Sequence, residues 1–418
     1  MDKRKRKLKI AIFHLGFFFS GGGEKLVLEE AAGLTKRGHK VVLFAPVVDK
    51  KACFPDLIKK TKVHSLFSPF SFNFPLRDFL AIAEAVFLTP FTFWRFAKFD
   101  IFFGANQPGP LICFFLGKIL GKLYVIYLAQ PTRLIYPRKV DQEVGFGKGS
   151  FNIFYFLARV FKPLVVFLDR ISIQNAQAIL ANGDYMAQIL EKTYQKKVII
   201  CPAGCHPKKK LPSYKNRWQG KIRIGKRTIQ KPFILLTNRH YPQKKIEDAI
   251  QALSLIKDSF PNISLVITGA PTAYTDHLKE IVSHLGLKKK VVFTNLISEK
   301  NLDKLYSQAV LYVYTSPEED FGMGIIEAMA CGTPVVAWNH AGPTVTVRDG
   351  KTGFLAKPYN LADFEKKILH LLLDKNLNEK MGQAGYRRAK GKFSYENHNK
   401  ILSDALEEVV EKYEQRKI

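Results

Sequence analysis

The fold class is decided early in the chain, by Leu8-Lys-Ile-Ala-Ile-Phe-His-Leu-Gly-Phe-Phe-Phe19 and the loop Ser20-Gly-Gly-Gly23 that follows it. A helical pattern then covers 24–36, and Val41-Val-Leu-Phe-Ala45 is a second apolar run. Strand, glycine loop, helix and strand in this order begin a parallel α/β sheet. The basic start Met1–Lys7 imitates a secretory signal peptide, but the sheet-forming continuation favours a first strand over a cleaved signal.

The same alternation of buried strand and amphipathic helix continues along the chain in two series. In the first series, further strands are predicted at 100–103, 123–128, 178–182 and 197–202. In the second series, strands are predicted at 233–236, 264–268, 291–293, 310–314 and 334–337, and helices at 246–257, 274–285, 299–308 and 324–330. Two successive doubly wound α/β domains are the simplest architecture for this pattern.

The composition changes between the two series. From 207 to 232 the chain carries many Lys and Arg residues without one Asp or Glu, as an exposed connection between domains would. We therefore predict a first domain over 1–205 and a second over 206–392. The remaining residues, 393–418, are predicted to form an amphipathic helix that crosses back to the first domain.

The charge balance is strongly basic. Lys and Arg number 65 against 36 Asp and Glu, which gives a formal net charge of +29. A charge of this size attracts polyanions or anionic membrane surfaces. The five cysteines include no CxxC pair, so neither a disulfide framework nor a zinc site is indicated. We therefore expect no metal and a reducing, cytoplasmic compartment.

Membrane contact is predicted at the surface of a bilayer rather than across it. No segment has the roughly 18 apolar residues, nearly free of charge, that a spanning helix needs. Basic residues stand among aromatic residues in 87–99 and 151–162. Such stretches suit either an anionic membrane interface or a helix face packed on a sheet. In the first case, the protein would lie peripherally on the inner face of the membrane.

Three loops after predicted strands carry groups with a chemical use. Successive glycines in the first loop let backbone N–H groups approach an anion at a helix N-terminus. Arg239 and Lys244 follow the first strand of the second series, where two cations can clamp a diphosphate. Glu319 and Glu327 stand eight residues apart, and each can grip a polyol while the amides between them face an anion.

The run Ser316–Pro334 resembles the EX7E signature of retaining GT-B glycosyltransferases of the large group 4 family, and Glu319 and Glu327 match its two glutamates. The resemblance implies the GT-B fold, in which two Rossmann-like domains face each other across a cleft. It covers nearly the whole chain, because other family motifs recur in order at Gly22-Gly23-Glu24, Arg239 with Lys244, and Gly350-Lys-Thr-Gly-Phe-Leu355.

The resemblance also implies a role for each matching residue. Arg239 and Lys244 would bind the donor diphosphate, Glu327 the ribose hydroxyls, and Glu319 the hydroxyls of the transferred sugar. Arg239, Lys244 and Glu319 are thus the candidate catalytic residues. The remaining donor-binding candidates are Gly22 and Gly23 of the first domain, Leu296 near the nucleobase, and the loop residues Phe321, Gly322, Met323, Gly324 and Ile325. The donor would be a GDP- or UDP-sugar, with no cofactor and no metal.

Two positions depart from the family pattern. Ala129 stands where many relatives carry His in a segment similar to H-T-P-x-R. Gln130 can donate a hydrogen bond in its place but cannot act as a titrating base, and Arg133 ends the segment. Val345 stands where relatives often carry Glu. Both departures bear on sugar selectivity, and they keep a catalytically impaired homologue as an alternative.

The leading hypothesis is that the chain is a retaining glycosyltransferase. It would transfer a hexose, with mannose as the candidate sugar, to a glycan or lipid-linked acceptor. Cell-surface polysaccharide or lipid-linked glycan synthesis would use such a product. A soluble acceptor, a nucleotide-sugar epimerase on the same fold, and a basic membrane- or nucleic-acid-binding protein are the alternatives. A basic membrane- or nucleic-acid-binding protein would not explain Glu319 and Glu327. No nucleic-acid-binding signature is visible, so no nucleic acid partner is expected.

Overall fold

A computed structural model describes residues 6–18, 20–67, 77–133, 135–143 and 160–416. The chain divides into two compact units. The first unit consists of Met1–Pro137, Gly147–Gly204 and Tyr395–Ile418, and the second of Arg138–Phe146 and Cys205–Ser394.

The first unit is built on a parallel sheet of seven strands in the order β3-β2-β1-β4-β5-β6-β7. The bounds are β1 Lys9–His14, β2 Lys40–Ala45, β3 Val63–Ser65, β4 Ile101–Ala105, β5 Leu123–Leu128, β6 Ala178–Ala181 and β7 Ile199–Ile200. The central strands are apolar on both faces, as expected when helices cover both sides of a parallel sheet.

Helices connect these strands and cover the sheet. Their bounds are α1 Gly22–Lys36, α2 Pro55–Ile58, α3 Arg77–Leu88, α4 Gly109–Leu120, α5 Lys139–Glu143, α6 Lys162–Gln174 and α7 Asp184–Tyr194. A 3₁₀ helix, Pro90–Phe96, follows α3 after one residue. The short helix α5 is in the range that belongs to the second unit.

The second unit has a parallel sheet of six strands in the order β12-β11-β10-β13-β14-β15, and a separate antiparallel hairpin of β8 and β9. The strands are β8 Lys221–Ile224, β9 Arg227–Gln230, β10 Phe233–Thr237, β11 Ser264–Thr268, β12 Val291–Asn295, β13 Leu311–Tyr314, β14 Val335–Trp338 and β15 Gly353–Ala356. The helices are α8 Ile246–Ile256, α9 Tyr274–His284, α10 Glu299–Gln308, α11 Met323–Ala330, α12 Gly342–Thr346, α13 Leu361–Leu373, α14 Lys375–Lys392 and α15 Tyr395–Gln415, the last of which lies in the first unit.

Both sheets are parallel, with helices between successive strands. The predicted pair of Rossmann-like, doubly wound α/β domains is therefore confirmed. In each unit the core lies between the sheet and its covering helices, where the apolar strand residues meet the apolar faces of the helices.

The terminal helix α15 packs on α1 in the first unit. The contact includes a buried polar pair, since His398 Nε2 lies 3.1 Å from Glu30 Oε1 and both side chains are fully buried. His398 Nδ1 donates a hydrogen bond to the carbonyl oxygen of Pro202 at 2.8 Å. The last helix is thereby attached to the first unit by a specific polar contact as well as by apolar packing.

The basic segment 207–232 is largely exposed, as its composition predicts, but it is not a separate connection between the units. It belongs to the second unit and contains the 3₁₀ helix Tyr214–Arg217 and the β8–β9 hairpin. Arg217 is only 2% exposed and donates hydrogen bonds to Thr333 Oγ1 and Cys331 O at 2.6 Å and to Ala309 O at 3.1 Å. Burial lowers the pKa of this guanidinium to about 10. Composition did not reveal the buried Arg217, because it cannot distinguish a solvated cation from one that binds buried carbonyl groups.

The first domain is also less continuous than the predicted range 1–205. Residues 138–143 belong to the second unit. Arg138 donates a hydrogen bond to the carbonyl oxygen of Glu318, and the amide of Val140 donates to Glu318 Oε2 at 3.1 Å. These contacts explain why the segment belongs to the second unit.

Within the described ranges, no helix combines the length and the apolar character that crossing a membrane requires. All five cysteines are buried free thiols. Of the two stretches predicted to suit a membrane interface, 87–99 is described, whereas 151–159 lies outside the described residues.

Candidate active site

The predicted residues Lys244 and Glu319 form an ion pair in the second unit. Lys244 ends the 3₁₀ turn Pro242–Lys244 after β10, and Glu319 lies in the loop between β13 and α11. The strands β10 and β13 are parallel neighbours, so the loops at their carboxyl ends meet at one edge of the sheet. Lys244 Nζ donates to Glu319 Oε2 at 2.7 Å.

The ion pair determines the protonation state of Glu319. Burial alone would raise the pKa of this carboxyl group, but the Lys244 ammonium and a hydrogen bond from the Tyr314 hydroxyl lower it to about 2. The Arg138 guanidinium contributes in the same direction. Glu319 is therefore a carboxylate throughout the physiological pH range and accepts hydrogen bonds only.

Arg138 is a site residue that sequence reasoning missed. Besides its bond to the Glu318 carbonyl, its Nη1 lies 3.3 Å from Asp320 Oδ2. The guanidinium thus contacts the residues on both sides of Glu319 and restrains this part of the loop. No sequence signal links positions 180 residues apart, so only the tertiary structure reveals the contact.

Glu327, the second glutamate of the predicted pair, lies on α11 and is half-buried. The Tyr306 hydroxyl donates to Glu327 Oε2 at 3.0 Å. Tyr306 and Tyr312 each place their hydroxyl 2.8 Å from Thr237 Oγ1, so a short network of hydroxyl groups holds one oxygen of the carboxylate. Sequence reasoning missed both tyrosines because they look like ordinary core aromatics of a helix and a strand.

The loop residues from Phe321 to Ile325 form the turn into α11. Gly322 precedes the helix with a φ of 87°, a left-handed conformation that favours glycine. A Cβ atom at Gly324 would lie 2.2 Å from the Tyr312 hydroxyl oxygen, so this position also requires glycine. Phe321 and Ile325 are buried, whereas Met323 at the first position of the helix is half-buried. The amides at the start of α11 thus lie in the same loop as Glu319.

Arg239 and Leu296 complete the predicted residues of the second unit. Arg239 is half-buried, two residues after the end of β10. Leu296 directly follows β12 and is 68% exposed. All predicted donor-binding residues of this unit except Glu327 therefore lie in loops after strands or in the first turn of the following helix. These loops share one edge of the sheet.

The other predicted residues belong to the first unit. Gly22 and Gly23 form the first turn of α1, directly after the loop that follows β1. A Cβ atom at Gly23 would meet nothing within 4 Å, so packing within the described structure does not require glycine there. Gln130 and Arg133 follow β5, and Arg133 Nε donates to Gln130 Oε1 at 2.6 Å. The structure thus brings the two predicted sugar-side residues into contact with each other.

His14 is a further candidate residue of the first unit that sequence reasoning missed. It ends β1, is 4% exposed, and its Nδ1 lies 3.0 Å from the Ala105 carbonyl oxygen. Among the described residues, its Nε2 has no hydrogen-bond partner. Burial lowers the pKa of His14 to about 4, so the imidazole is neutral at physiological pH. The position at the carboxyl end of a strand just before a glycine loop is the sequence signal that marks it.

The two positions that depart from the family pattern carry apolar side chains. The amide of Ala129 donates to Asn106 Oδ1 at 3.2 Å. Val345 is buried, and its carbonyl oxygen accepts a bond from Arg388 Nη2 at 2.7 Å. In both residues the backbone makes the polar contact, so neither side chain offers a hydrogen-bonding group.

No group of three or more His, Cys, Asp or Glu side chains with suitable geometry occurs in the part of the chain that the structure describes.

Two known families match this chain on sequence. Residues 20–209 match the family described as Glycosyltransferase Family 4, and residues 221–388 match the family described as Glycosyl transferases group 1. The alpha-1,3/1,6-mannosyltransferase ALG2 of Dictyostelium discoideum is 25% identical over 94% of this chain and 97% of its own length. The human protein of the same name is 24% identical, over 90% of each chain.

Solved structures match the whole fold. Sucrose-phosphate synthase from Thermosynechococcus elongatus has a TM-score of 0.74 at 19% identity and covers 97% of this chain and 99% of its own. The Anabaena protein HepE, in complex with UDP and glucose, has a TM-score of 0.72 at 17% identity and covers 96% and 99%.

The two doubly wound units have the GT-B fold. Together with the family matches, the loop that carries Glu319 at the sheet edge of the second unit indicates a glycosyltransferase of the GT-B class. Together the two family matches extend over most of the chain. The chain belongs to the group 4 glycosyltransferases, and it is an enzyme that uses a nucleotide sugar as its donor.

Proposed function

We propose that this enzyme is a retaining mannosyltransferase that moves mannose from a nucleoside diphosphate mannose to a lipid-linked glycan. The observation that carries the proposal is the Lys244–Glu319 ion pair in the loop that leads into α11. It combines a cation for the leaving group with a permanently ionised carboxylate for sugar hydroxyls. The named mannosyltransferases among the relatives support mannose as the transferred sugar.

Departure of the donor diphosphate requires compensation of negative charge. The ammonium of Lys244 and the guanidinium of Arg239 supply cations, and the amides at the start of α11 supply aligned N–H donors. These groups are positioned before the reaction, so they stabilise charge that develops on the phosphate oxygens without rearranging. This chain would therefore activate the leaving group without a metal ion.

The two glutamates would orient the donor. A carboxylate accepts hydrogen bonds from two neighbouring hydroxyls, as the ribose and the hexose both present. Glu327, held by the Tyr306 hydroxyl, would bind the ribose, and Glu319 would bind hydroxyls of the mannose. The low pKa of Glu319 keeps it ionised, and therefore an acceptor, during the whole reaction.

Retention follows when the acceptor hydroxyl attacks the anomeric carbon from the face that the diphosphate leaves. The bond between the anomeric carbon and the phosphate oxygen breaks, and the acceptor oxygen forms the new glycosidic bond. A departing phosphate oxygen takes the acceptor proton, so no separate base is needed. In the first unit, Gly22 and Gly23 would approach the diphosphate, and Gln130 with Arg133 would contact the sugar side.

A lipid-linked acceptor places the reaction at a membrane surface, where a peripheral enzyme on the inner face would meet it. The net charge of +29 supports this part of the proposal, because inner leaflets carry anionic lipids. Exposed aromatic residues in the first unit support it as well.

A donor panel tests the proposal without an acceptor. Purified protein is melted with GDP-mannose, UDP-glucose, UDP-galactose and ADP-glucose, and slow donor hydrolysis is measured in parallel. A ligand that binds only the native state at a hundred times its Kd raises the unfolding free energy by about 2.7 kcal/mol. We expect one mannose donor to raise Tm and to be hydrolysed.

The panel includes two glutamate variants. Glu327→Ala removes the predicted ribose contact and should abolish the donor-induced rise in Tm. Glu280→Ala, on a side chain that is 72% exposed in the same unit, should respond as the wild type does. The proposal is wrong if no nucleotide sugar stabilises the wild type, or if Glu327→Ala is stabilised equally.

A further inference from the structure

A buried carboxylate of the first unit accepts hydrogen bonds from three other elements. Asp169 lies on α6 and is 3% exposed. The hydroxyl of Thr132 and the side-chain amide of Gln107 both donate to Asp169 Oδ1, at 2.7 and 3.0 Å. The Tyr194 hydroxyl donates to Asp169 Oδ2 at 2.9 Å. Both carboxylate oxygens are therefore engaged by residues that are distant in sequence.

These donors connect the carboxyl edge of the first sheet to two helices of the same unit. Gln107 lies in the loop after β4, Thr132 lies in the loop after β5, and Tyr194 is the last residue of α7. Because β4 and β5 are parallel neighbours, their loops lie side by side at one edge of the sheet. Asp169 thus joins two loops of this edge to α6 and α7.

Thr132 is the fixed point of the loop after β5. Its hydroxyl donates to the buried carboxylate, and its carbonyl oxygen accepts hydrogen bonds from the amides of Ile135 and Tyr136, both at 2.9 Å. Gln130 and Arg133, which stand on either side of Thr132 in the sequence, are joined by their own side-chain hydrogen bond. The position of Thr132 therefore determines where this pair of side chains lies.

Burying a carboxylate is unfavourable unless hydrogen bonds replace its water. Burial raises the pKa of Asp169, and the bonds from Thr132, Tyr194 and Gln107 act against this shift. An apolar side chain would pack α6 on α4 without that cost. The carboxylate therefore serves to fix its three partners, and of these only Thr132 stands between two residues of the predicted site.

We propose that Asp169 is a positioning residue for the sugar side of the reaction, and that it acts through Thr132 on Gln130 and Arg133. The inference rests on the proposed function, because it takes Gln130 and Arg133 as contacts of the transferred mannose. In that proposal neither of these two residues touches the nucleotide. A displaced loop after β5 should therefore weaken the binding of GDP-mannose and leave the binding of GDP as it is.

Calorimetric titration with GDP-mannose and with GDP measures the two affinities. Thr132→Val removes the hydroxyl and keeps the shape of the side chain, and Asp169→Leu removes the carboxylate. We expect each variant to weaken GDP-mannose binding by about tenfold, the effect of one misplaced hydrogen bond, and to leave the Kd of GDP unchanged. A loss of stability alone would not change the ratio of the two affinities.

Two further variants make the test specific. Asp169→Asn keeps an oxygen that can accept from Thr132, so it should recover most of the GDP-mannose affinity that Asp169→Leu loses. Gln107→Met removes another donor to the same carboxylate oxygen, but from the loop after β4. It should lower Tm as Thr132→Val does and keep the wild-type ratio of affinities.

The inference is wrong if Thr132→Val leaves the ratio of affinities at the wild-type value. It is also wrong if Gln107→Met changes the ratio as much as Thr132→Val does, or if Asp169→Asn binds GDP-mannose no better than Asp169→Leu. Thr132→Val decides the matter if Asp169→Leu does not fold. A wild type that binds both ligands keeps the proposed function whatever the variants show. A wild type that binds neither ligand overturns the proposed function and this inference with it.

Discussion

At the scale of single residues, Lys244 and Glu319 show how one contact determines the chemistry of a site. The Glu319 side chain is only 18% exposed. Burial of this degree favours a protonated carboxyl group, and yet the pKa of Glu319 lies at about 2. The difference is due mainly to one ammonium group at 2.7 Å. The sequence spacing predicted both residues, but only the structure shows that they are partners.

We predict that Lys244→Met makes the free energy of unfolding less dependent on pH in the acid range. Because the pKa of Glu319 is lowered on folding from 4.5 to about 2, its ionisation stabilises the protein above pH 4.5, and this contribution is lost as the pH falls toward 2. The shift corresponds to at most about 3 kcal/mol. Without Lys244, burial raises the pKa instead, so the variant should be less stable than the wild type at pH 7 and nearly equal to it near pH 2.

Urea unfolding at several pH values measures this difference. Lys279→Met removes a cation from an exposed ion pair with Asp276, in which both side chains are more than half exposed, and serves as the control. A constant difference between wild type and Lys244→Met from pH 7 to pH 2 would show that the two groups are not coupled.

Two glycines of the predicted site should respond in opposite ways to alanine. Gly23 lies in the first turn of α1 with open space around it, so Gly23→Ala should stabilise the fold by about 0.5–1 kcal/mol. If the diphosphate approaches this backbone, as we propose, the same variant should bind donor more weakly. Gly324→Ala places its Cβ against the Tyr312 hydroxyl and should destabilise by roughly 1–3 kcal/mol. Thermal melting with and without donor checks both, and unchanged donor affinity in Gly23→Ala would contradict the proposed approach.

At the scale of elements, the segment 138–143, which belongs to the second unit, is a part whose position the sequence did not reveal. The regular elements were predicted closely: β5, β11 and α10 have the predicted bounds, and α8 differs by one residue. Hydrophobic periodicity suffices for these because each buries a face in its own layer. The hairpin of β8 and β9 was missed because its alternating Lys221-Ile-Arg-Ile pattern is short and lies in a run dominated by charge.

We predict that the segment 138–143 contributes to catalysis through Arg138. Arg138→Ala removes charge-assisted hydrogen bonds to Glu318 and Asp320, each of which contributes about 1.5–3 kcal/mol, and frees the loop that carries Glu319. We expect kcat/KM for donor to fall at least about tenfold, and Tm to fall as well because these bonds also stabilise the fold. The neighbouring variant Lys139→Ala, on an exposed side chain, is the control. Equal kinetics for the two variants would show that the contact does not position Glu319.

We predict that the attachment of the terminal helix α15 to the first unit depends on the buried pair of Glu30 and His398. Glu30→Ala leaves His398 buried without its partner, which typically costs about 3–5 kcal/mol of unfolding free energy. Urea unfolding measures the loss. Glu408→Ala breaks an exposed pair with Lys412 on the same helix and should leave stability nearly unchanged. If the two variants are equally stable, the pair of Glu30 and His398 does not contribute to holding α15.

At the scale of the whole molecule, the sequence predicted the class of enzyme better than the details of its site. The motif residues Arg239, Lys244, Glu319 and Glu327 recur in family order, and all four fall in one unit. Tyr306, Tyr314 and Arg138 were not predicted, because their importance lies in contacts with residues distant in sequence.

The most direct test of the central claim is the anomeric configuration of the first product. The mannose donor selected by the panel, an α-linked nucleoside diphosphate mannose, is incubated with enzyme, and released mannose is followed by proton NMR before the anomers equilibrate. A retaining transferase that acts on this donor releases α-mannose first, and Lys244→Met should slow its release. Initial release of β-mannose, or no release of sugar from any bound donor, would contradict the account.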